Sequence, residues 1–156
     1  MITIIIFWSG EMTDEELLVK FFEKDGYVKL SGIELVEVTK EKAVARAEIG
    51  AEHLNVNGSV QGGMLYTIAD FVFAVHANFI HPKSVTQAGQ ITYIRPAVTK
   101  YITATATETV RVGHNTVSEV LVRDEQEQIV CVCHFNGFVK DVDKEELKKK
   151  YEEERK

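Results

Sequence analysis

From residue 63 to residue 79 the chain is apolar at almost every position, with Met64, Leu65, Ile68, Ala69, Phe71, Val72, Phe73, Ala74, Val75 and Ala77 in one run. A helix that is apolar nearly all round must be surrounded by protein, so this segment predicts one long buried helix. Residues 13–24 behave differently. Leu17, Leu18, Phe21 and Phe22 fall on one side of an amphipathic helix, Thr13 and Glu16 form a capping box at its start, and Asp25-Gly26 is expected to end it. Alternating apolar and polar positions predict strands over residues 32–38, 43–49, 85–95, 101–112, 116–123 and 128–139. Residues 39–42, 113–115 and 124–127 read as turns, and His81-Pro82 breaks the long helix. The order is therefore helix, strand pair, buried helix and antiparallel meander. About six strands and one buried helix imply an α+β fold, an antiparallel sheet wrapped around that helix.

Composition narrows the function classes. With 156 residues, 45% hydrophobic and 27% charged, the chain suits one globular domain with a sizeable core. Its net charge of −6 argues against a nucleic-acid surface. Cys131 and Cys133 lie two apart in a strand pattern, hence on one face and poorly placed to bond each other. They read as small buried residues, and nothing requires an oxidising compartment. The apolar residues 1–8 are too short to span a membrane and lack the features of a signal peptide. They are either an extra strand or lie upstream of a natural start at Met12. The expected location is the cytoplasm. Residues 1–12 are taken as an extension, 13–142 as one domain, and 143–156 as a charged C-terminal helix.

The chemistry concentrates in residues 55–70. A polar, glycine-rich loop containing Asn55, Gln61, Gly62 and Gly63 runs directly into the apolar helix, and Asp70 lies within that helix. The first N–H groups of a helix have no internal partner and form a site for a negative oxygen. A carboxylate among apolar residues is costly unless paired or used. Asp70 follows Gly63 by seven residues, about two turns, which places both on one helix face and lets loop donors and acid converge on one small group. A capping loop with a hydrogen-bonded core Asp would leave the same pattern. The five histidines form no metal-binding spacing, so no metal site is expected, and neither a Gly-x-Ser-x-Gly elbow nor a P-loop is present.

The pattern Asn55…Gln61-Gly62-Gly63…Ile68-Ala69-Asp70 resembles that of the hotdog-fold acyl-CoA thioesterases of the phenylacetate-pathway (PaaI-like) type, which carry His where this chain has Gln61. Two further segments are similar to that family: Ile91-Thr-Tyr-Ile-Arg95-Pro96-Ala, and Arg111-Val-Gly113-His114-Asn115. The resemblance implies a hotdog fold and hydrolysis of an acyl-CoA thioester, with coenzyme A as part of the substrate and no cofactor.

It also implies roles. Gly62 and Gly63 would stabilise the oxyanion, and Asp70 would be general base or nucleophile. Asn55 would place the water or the thioester. Gln61 would keep an orienting hydrogen bond but no proton role. Thr86 would face the acid, or be an ordinary strand threonine. Arg95 and the Gly113-His114-Asn115 turn would touch the coenzyme A nucleotide, unless Arg95 is only a surface charge. Sites formed between two protomers imply a homodimer and, beyond it, a homotetramer. Two alternatives stand beside this. One is a non-catalytic acyl-CoA-binding module. The other is a dehydratase, whose usual His is missing.

Overall fold

The computed structural model describes residues 13–141. The apolar N-terminal stretch and the charged C-terminal segment expected to be helical lie outside the described residues. Helix α1 (Asp14–Phe22) starts with the capping box: Glu16 N–H donates to Thr13 Oγ1 at 3.2 Å, and Thr13 N–H donates to Glu16 Oε2 at 2.8 Å. Asp25 does end this helix region, but it also begins another. Its Oδ1 accepts from Tyr27 N–H and Val28 N–H at 3.0 and 3.1 Å, capping a short helix α2 (Gly26–Leu30). An Asp-Gly pair reads as a stop by composition, yet Asp is also a preferred N-cap, and here the cap prevails.

The strands are β1 (Ile33–Val38), β2 (Ala43–Glu48), β3 (Ser84–Tyr93), β4 (Tyr101–Val112), β5 (Asn115–Arg123) and β6 (Ile129–Val139), all paired antiparallel. They form one sheet in the order β1-β2-β4-β5-β6-β3. Only β4, β5 and β6 form a meander. After the long helix α3 (Gly62–Ile80) the chain enters β3 at the far edge, beside β6, and then crosses back to β4. Alternation marks strands but carries no information on which strand pairs with which, so the expected simple meander is corrected here.

The sheet curls around α3. Its inner face under the helix is small on one side, with Ala43, Ala45 and Ala47 of β2 opposite Ala106, Ala104 and Ile102 of β4, all but buried completely. Short side chains let the helix approach the sheet. On the other side the contacts are bulky, and the Phe73 ring stacks on Phe135 of β6 with centroids 4.9 Å apart. Cys131 and Cys133 are free thiols on this same buried face. The helix ends where polar groups take over its last carbonyls. Ser84 Oγ donates to Ala77 O and His81 O at 3.3 and 2.8 Å, and Asn78 exchanges bonds with the Ser84 backbone.

Ten residues of α3 are buried; of the other nine, Gly62, Gly63, Tyr66, Thr67, Asp70, Ala74 and Asn78 form a single stripe at helical spacing, and Phe79 and Ile80 lie at the helix end. That stripe looks toward β3, an edge strand on which only Ser84 is buried. Gly89 of β3 is packed against this region. A Cβ there would come within 2.5 Å of the Phe135 ring and would also strike the Tyr66 hydroxyl. Overpacking of this kind costs about 1–3 kcal/mol, so Gly89→Ala is expected to lower stability by that amount in urea denaturation.

Candidate active site

The loop before α3 is built by Asn55. Its Oδ1 accepts from Asn57 N–H and Ser59 N–H at 2.9 and 3.3 Å, and its Nδ2 donates to Ser59 Oγ at 3.0 Å. Gly58, at φ +76°, takes the left-handed conformation that closes this turn. Two backbone bonds of 2.8 Å anchor the loop: Val60 N–H donates to Ala97 O, and Gln61 N–H donates to His53 O. His53 is buried. Its Nδ1 accepts from Gly50 N–H at 3.0 Å, so the ring proton sits on Nε2, which has no partner among the described residues.

Gln61 is the N-cap of α3, and its side chain accepts rather than donates. Oε1 takes the N–H groups of Gly63 and Met64, the latter at 3.2 Å. The cap therefore occupies one of the two glycine donors expected for an oxyanion. It claims the second and third helical N–H groups and leaves the first, that of Gly62, without an acceptor among the described residues. Tyr93 of β3 lies over this point and donates from Oη to Gly62 O at 3.1 Å. A Cβ at Gly62 would come within 2.8 Å of that hydroxyl, so a side chain there would have to push the Tyr93 ring aside. A cleft of about 390 Å³ opens here, lined by Asn55, Gly62, Leu65, Tyr93, Arg95 and Ala97 among others.

Asp70 does not line this cleft. It shares the uncovered stripe of α3 with Gly63, as the spacing requires, but lies about 10 Å further along the helix axis. Within one chain the loop donors and the acid do not converge on one small group. Thr86 Oγ1 donates to Asp70 Oδ1 at 3.2 Å, so β3 does bring Thr86 to the acid. Burial raises the pKa of Asp70 above the ordinary carboxylate value, the Thr86 bond opposes that rise, and the charge of Asp25 adds to it. Tyr66, one turn before Asp70, has its phenol pKa raised by burial and then by the Asp70 charge, and its ring packs against Phe135.

Arg95 and the 113–115 turn are far apart in one chain. Arg95 follows β3 at the end where Tyr93 pairs with Cys131, and its guanidinium donates to Gln128 Oε1. The turn lies where Asn115 pairs with Phe138, at the other end of β6. The rise of the intervening strand separates the two by more than about 20 Å. In the turn, Gly113 has φ +60° and its carbonyl accepts from Arg111 Nε at 3.2 Å. The His114 ring stacks on Phe138, and its Nδ1 lies 2.8 Å from Val139 O, to which it donates. One copy of the chain thus holds the Gly62 N–H and Arg95 at one end, and Asp70 with Thr86 toward the end that carries the histidine turn.

No family model matches the chain. It is 31% identical over 120 residues to the acyl-coenzyme A thioesterase PaaI of Escherichia coli K12, covering 74% of this chain and 82% of that one. The chain belongs to the PaaI-like hotdog thioesterase family. A second relative is the 1,4-dihydroxy-2-naphthoyl-CoA hydrolase of Listeria monocytogenes, 29% identical over 119 residues that cover 74% of this chain and 96% of the relative. Among solved structures, the E. coli PaaI protein of the phenylacetic acid degradation operon superposes with a TM-score of 0.74 at 25% identity, covering 78% and 89% of the two chains.

Against the usual PaaI-like pattern, Gln61 is the main departure, and the structure shows what the substitution does: a neutral amide oxygen caps the helix at any pH near neutrality. Two residues beside the site, Tyr66 and Tyr93, were hidden in apolar and strand patterns and not singled out from sequence. The bond from Thr86 favours ionised Asp70. Thr86→Val, nearly isosteric, should therefore raise the pH at which Asp70 titrates, measured by carbon NMR of its carboxyl group. An unmoved midpoint would show that the 3.2 Å contact does not bias the acid.

Proposed function

We propose that this member of the thioesterase family hydrolyses acyl-CoA thioesters in a site shared by two copies of the chain, the Gly62 N–H of one facing the Asp70 of the other. The observation that carries this reading is the uncovered stripe of α3. It joins a free N–H at the positive end of a long helix to a half-buried carboxylate whose proton is held unusually tightly.

A thioester needs little more. Its leaving thiolate has an ordinary pKa near 8.5 and departs without a general acid. The carbonyl oxygen becomes negative as the carbon is attacked, and one positioned N–H at that oxygen is typically worth about 2.7–4 kcal/mol. Asp70 either takes a proton from the attacking water or attacks the carbonyl itself, giving an anhydride that water then opens. On either route the C–S bond breaks, and the products are a carboxylic acid and coenzyme A. Thr86 holds the acid, Gln61 fixes the helix start, and Asn55 shapes the loop that presents it. Arg95 and the Gly113-His114-Asn115 turn are the candidates for the coenzyme A phosphates. Because they lie at opposite ends of one chain, a shared site is what would bring one copy's arginine near the other's turn. Among the described residues β3 pairs only with β6, and the open side of this ten-residue edge strand supports such pairing, since an unpaired edge invites another strand.

A second reading rests on the same cap. With Gly63 N–H occupied by Gln61, only one helix donor is left for the oxyanion, which is compatible with binding an acyl-CoA without hydrolysing it. Thiol release from a panel of aryl, short and medium acyl-CoAs decides between them, because binding without release on every substrate would favour the binding module. Asp70→Asn should lower turnover by about a hundredfold or more with the fold kept. For the shared site, an Asn55→Ala, Gln61→Ala double variant and Asp70→Asn should each be nearly inactive. Co-expressed, they should regain activity toward half per mixed dimer. Mixed dimers that form yet stay inactive would place each site within one chain or make the two sites interdependent.

A further inference from the structure

His81, Glu108 and Arg111 meet beside the proposed site without belonging to the loop–helix motif. His81 ends α3, and Glu108 and Arg111 lie on β4. Residues three apart in a regular strand face opposite sides. Here the β4–β5 ladder shifts register between Glu108 and Val110. Glu108 therefore pairs with Ser118 and Arg111 with Thr116, two same-face positions of β5, and the bulge brings both charged side chains to one face. Arg111 Nη1 lies 2.8 Å from His81 Nδ1, and His81 Nε2 lies 2.7 Å from Glu108 Oε2, which also accepts from the Thr116 hydroxyl. A guanidinium can only donate, so Nδ1 accepts, the ring proton sits on Nε2, and His81 is neutral. The His81 and Glu108 side chains are only 12% and 22% exposed, which strengthens these contacts. Arg111 also donates from Nε to Gly113 O at 3.2 Å, so one guanidinium joins His81 to the 113–115 turn. The cluster lies close to the acid: Thr116 and Thr86 flank the same residue, Gly137 of β6, two strand spacings or about 10 Å apart.

We propose that neutral His81 is a positioning residue for the coenzyme A end of the substrate, holding Arg111 so that it fixes the Gly113-His114-Asn115 turn. The inference rests on the reading of that turn as a coenzyme A contact. Glu108 orients the ring, the ring orients the guanidinium, and the guanidinium holds the Gly113 carbonyl. The charged and titratable groups facing His81 among the described residues are Glu108 and Arg111 from β4 and His76 from α3. Protonation of His81 would undo the arrangement. A second ring N–H on Nδ1 would face the Arg111 guanidinium, donor against donor and charge against charge. Acidification therefore releases Arg111 and loosens the turn.

The test compares an acyl-CoA with the same acyl group carried on pantetheine, which lacks the nucleotide. His81→Ala should raise KM for the acyl-CoA about tenfold, the size of one charge-assisted hydrogen bond, with kcat and the KM for the acyl-pantetheine moving far less. His81→Gln, whose amide both accepts and donates, should restore most of the loss. On acidification through the His81 titration, followed by NMR of its ring, the unaltered protein should lose affinity for the acyl-CoA, and His81→Gln should not show that loss. Folded His81→Ala with an unchanged KM for the acyl-CoA, or with both substrates impaired alike, would overturn the proposal. If His81→Ala did not fold, a His81→Gln protein with the same pH dependence as the unaltered one would overturn it. Equal KM values for the two substrates in the unaltered protein would instead remove the reading of the turn as a coenzyme A contact, and the proposal with it.

Discussion

Burial of α3 by a sheet that covers every face but one is the constraint on which the rest of this structure depends. Ile68, Val72 and Val75 are fully enclosed, and Phe73 is held face to face with Phe135. A helix so committed cannot rotate: a turn of one residue would carry apolar side chains into solvent and Asp70 into the core, against both hydrophobic burial and the cost of enclosing a charge. The polar stripe is therefore fixed by the apolar faces around it. The alanines of β2 and β4 and the bulk of β6 set how deeply the helix sits, and so where its N-terminus emerges.

That fixed stripe sets the electrostatics as well. The helix N-terminus offers several donors, but Gln61 satisfies two of them and leaves Gly62, the position that Tyr93 keeps free of any side chain. Two turns on, Asp70 is half withdrawn from water, with the Thr86 hydroxyl to hold its ionised form and the charge of Asp25 to oppose it. The two ends of the stripe thus carry opposite electrostatic demands: one waits for negative charge, the other resists bearing it. Both follow from a helix whose polar residues are few and whose surroundings are dry.

Much of this was legible in the chain. The buried helix, the Thr13 capping box and the six strands each follow from local patterns whose physics is local: side-chain period, cap chemistry and β-branching. The strand order was not legible, because crossing from β3 at one edge to β4 is decided by pairings between residues far apart in sequence. The same gap hid the separation of Arg95 from the histidine turn, which needs the register of β6 against both β3 and β5. Gln61 stood out as a departure from the family pattern, but its role as an acceptor did not, since a glutamine amide offers both donor and acceptor and only geometry chooses.

The separation of Gly62 from Asp70 within one chain has its own logic. A helix of 19 residues, some 28 Å long at about 1.5 Å per residue, cannot bring its first N–H and its ninth residue to the same carbonyl. No rearrangement of side chains closes that gap, because Asp70 and Gly62 belong to one rigid element. On the proposed shared site, a second, antiparallel copy of the stripe would close it. Two such helices side by side would set each N-terminus near the other's acid, and each Arg95 toward the other's histidine turn. Among the described residues one edge of β3 is unpaired and lies alongside the same stripe, so pairing two sheets there would align both helices in one step. A single fold requirement, burying α3 on all faces but one, thus leaves Gly62 and Asp70 apart on one chain, beside the edge along which a second copy would bring them together.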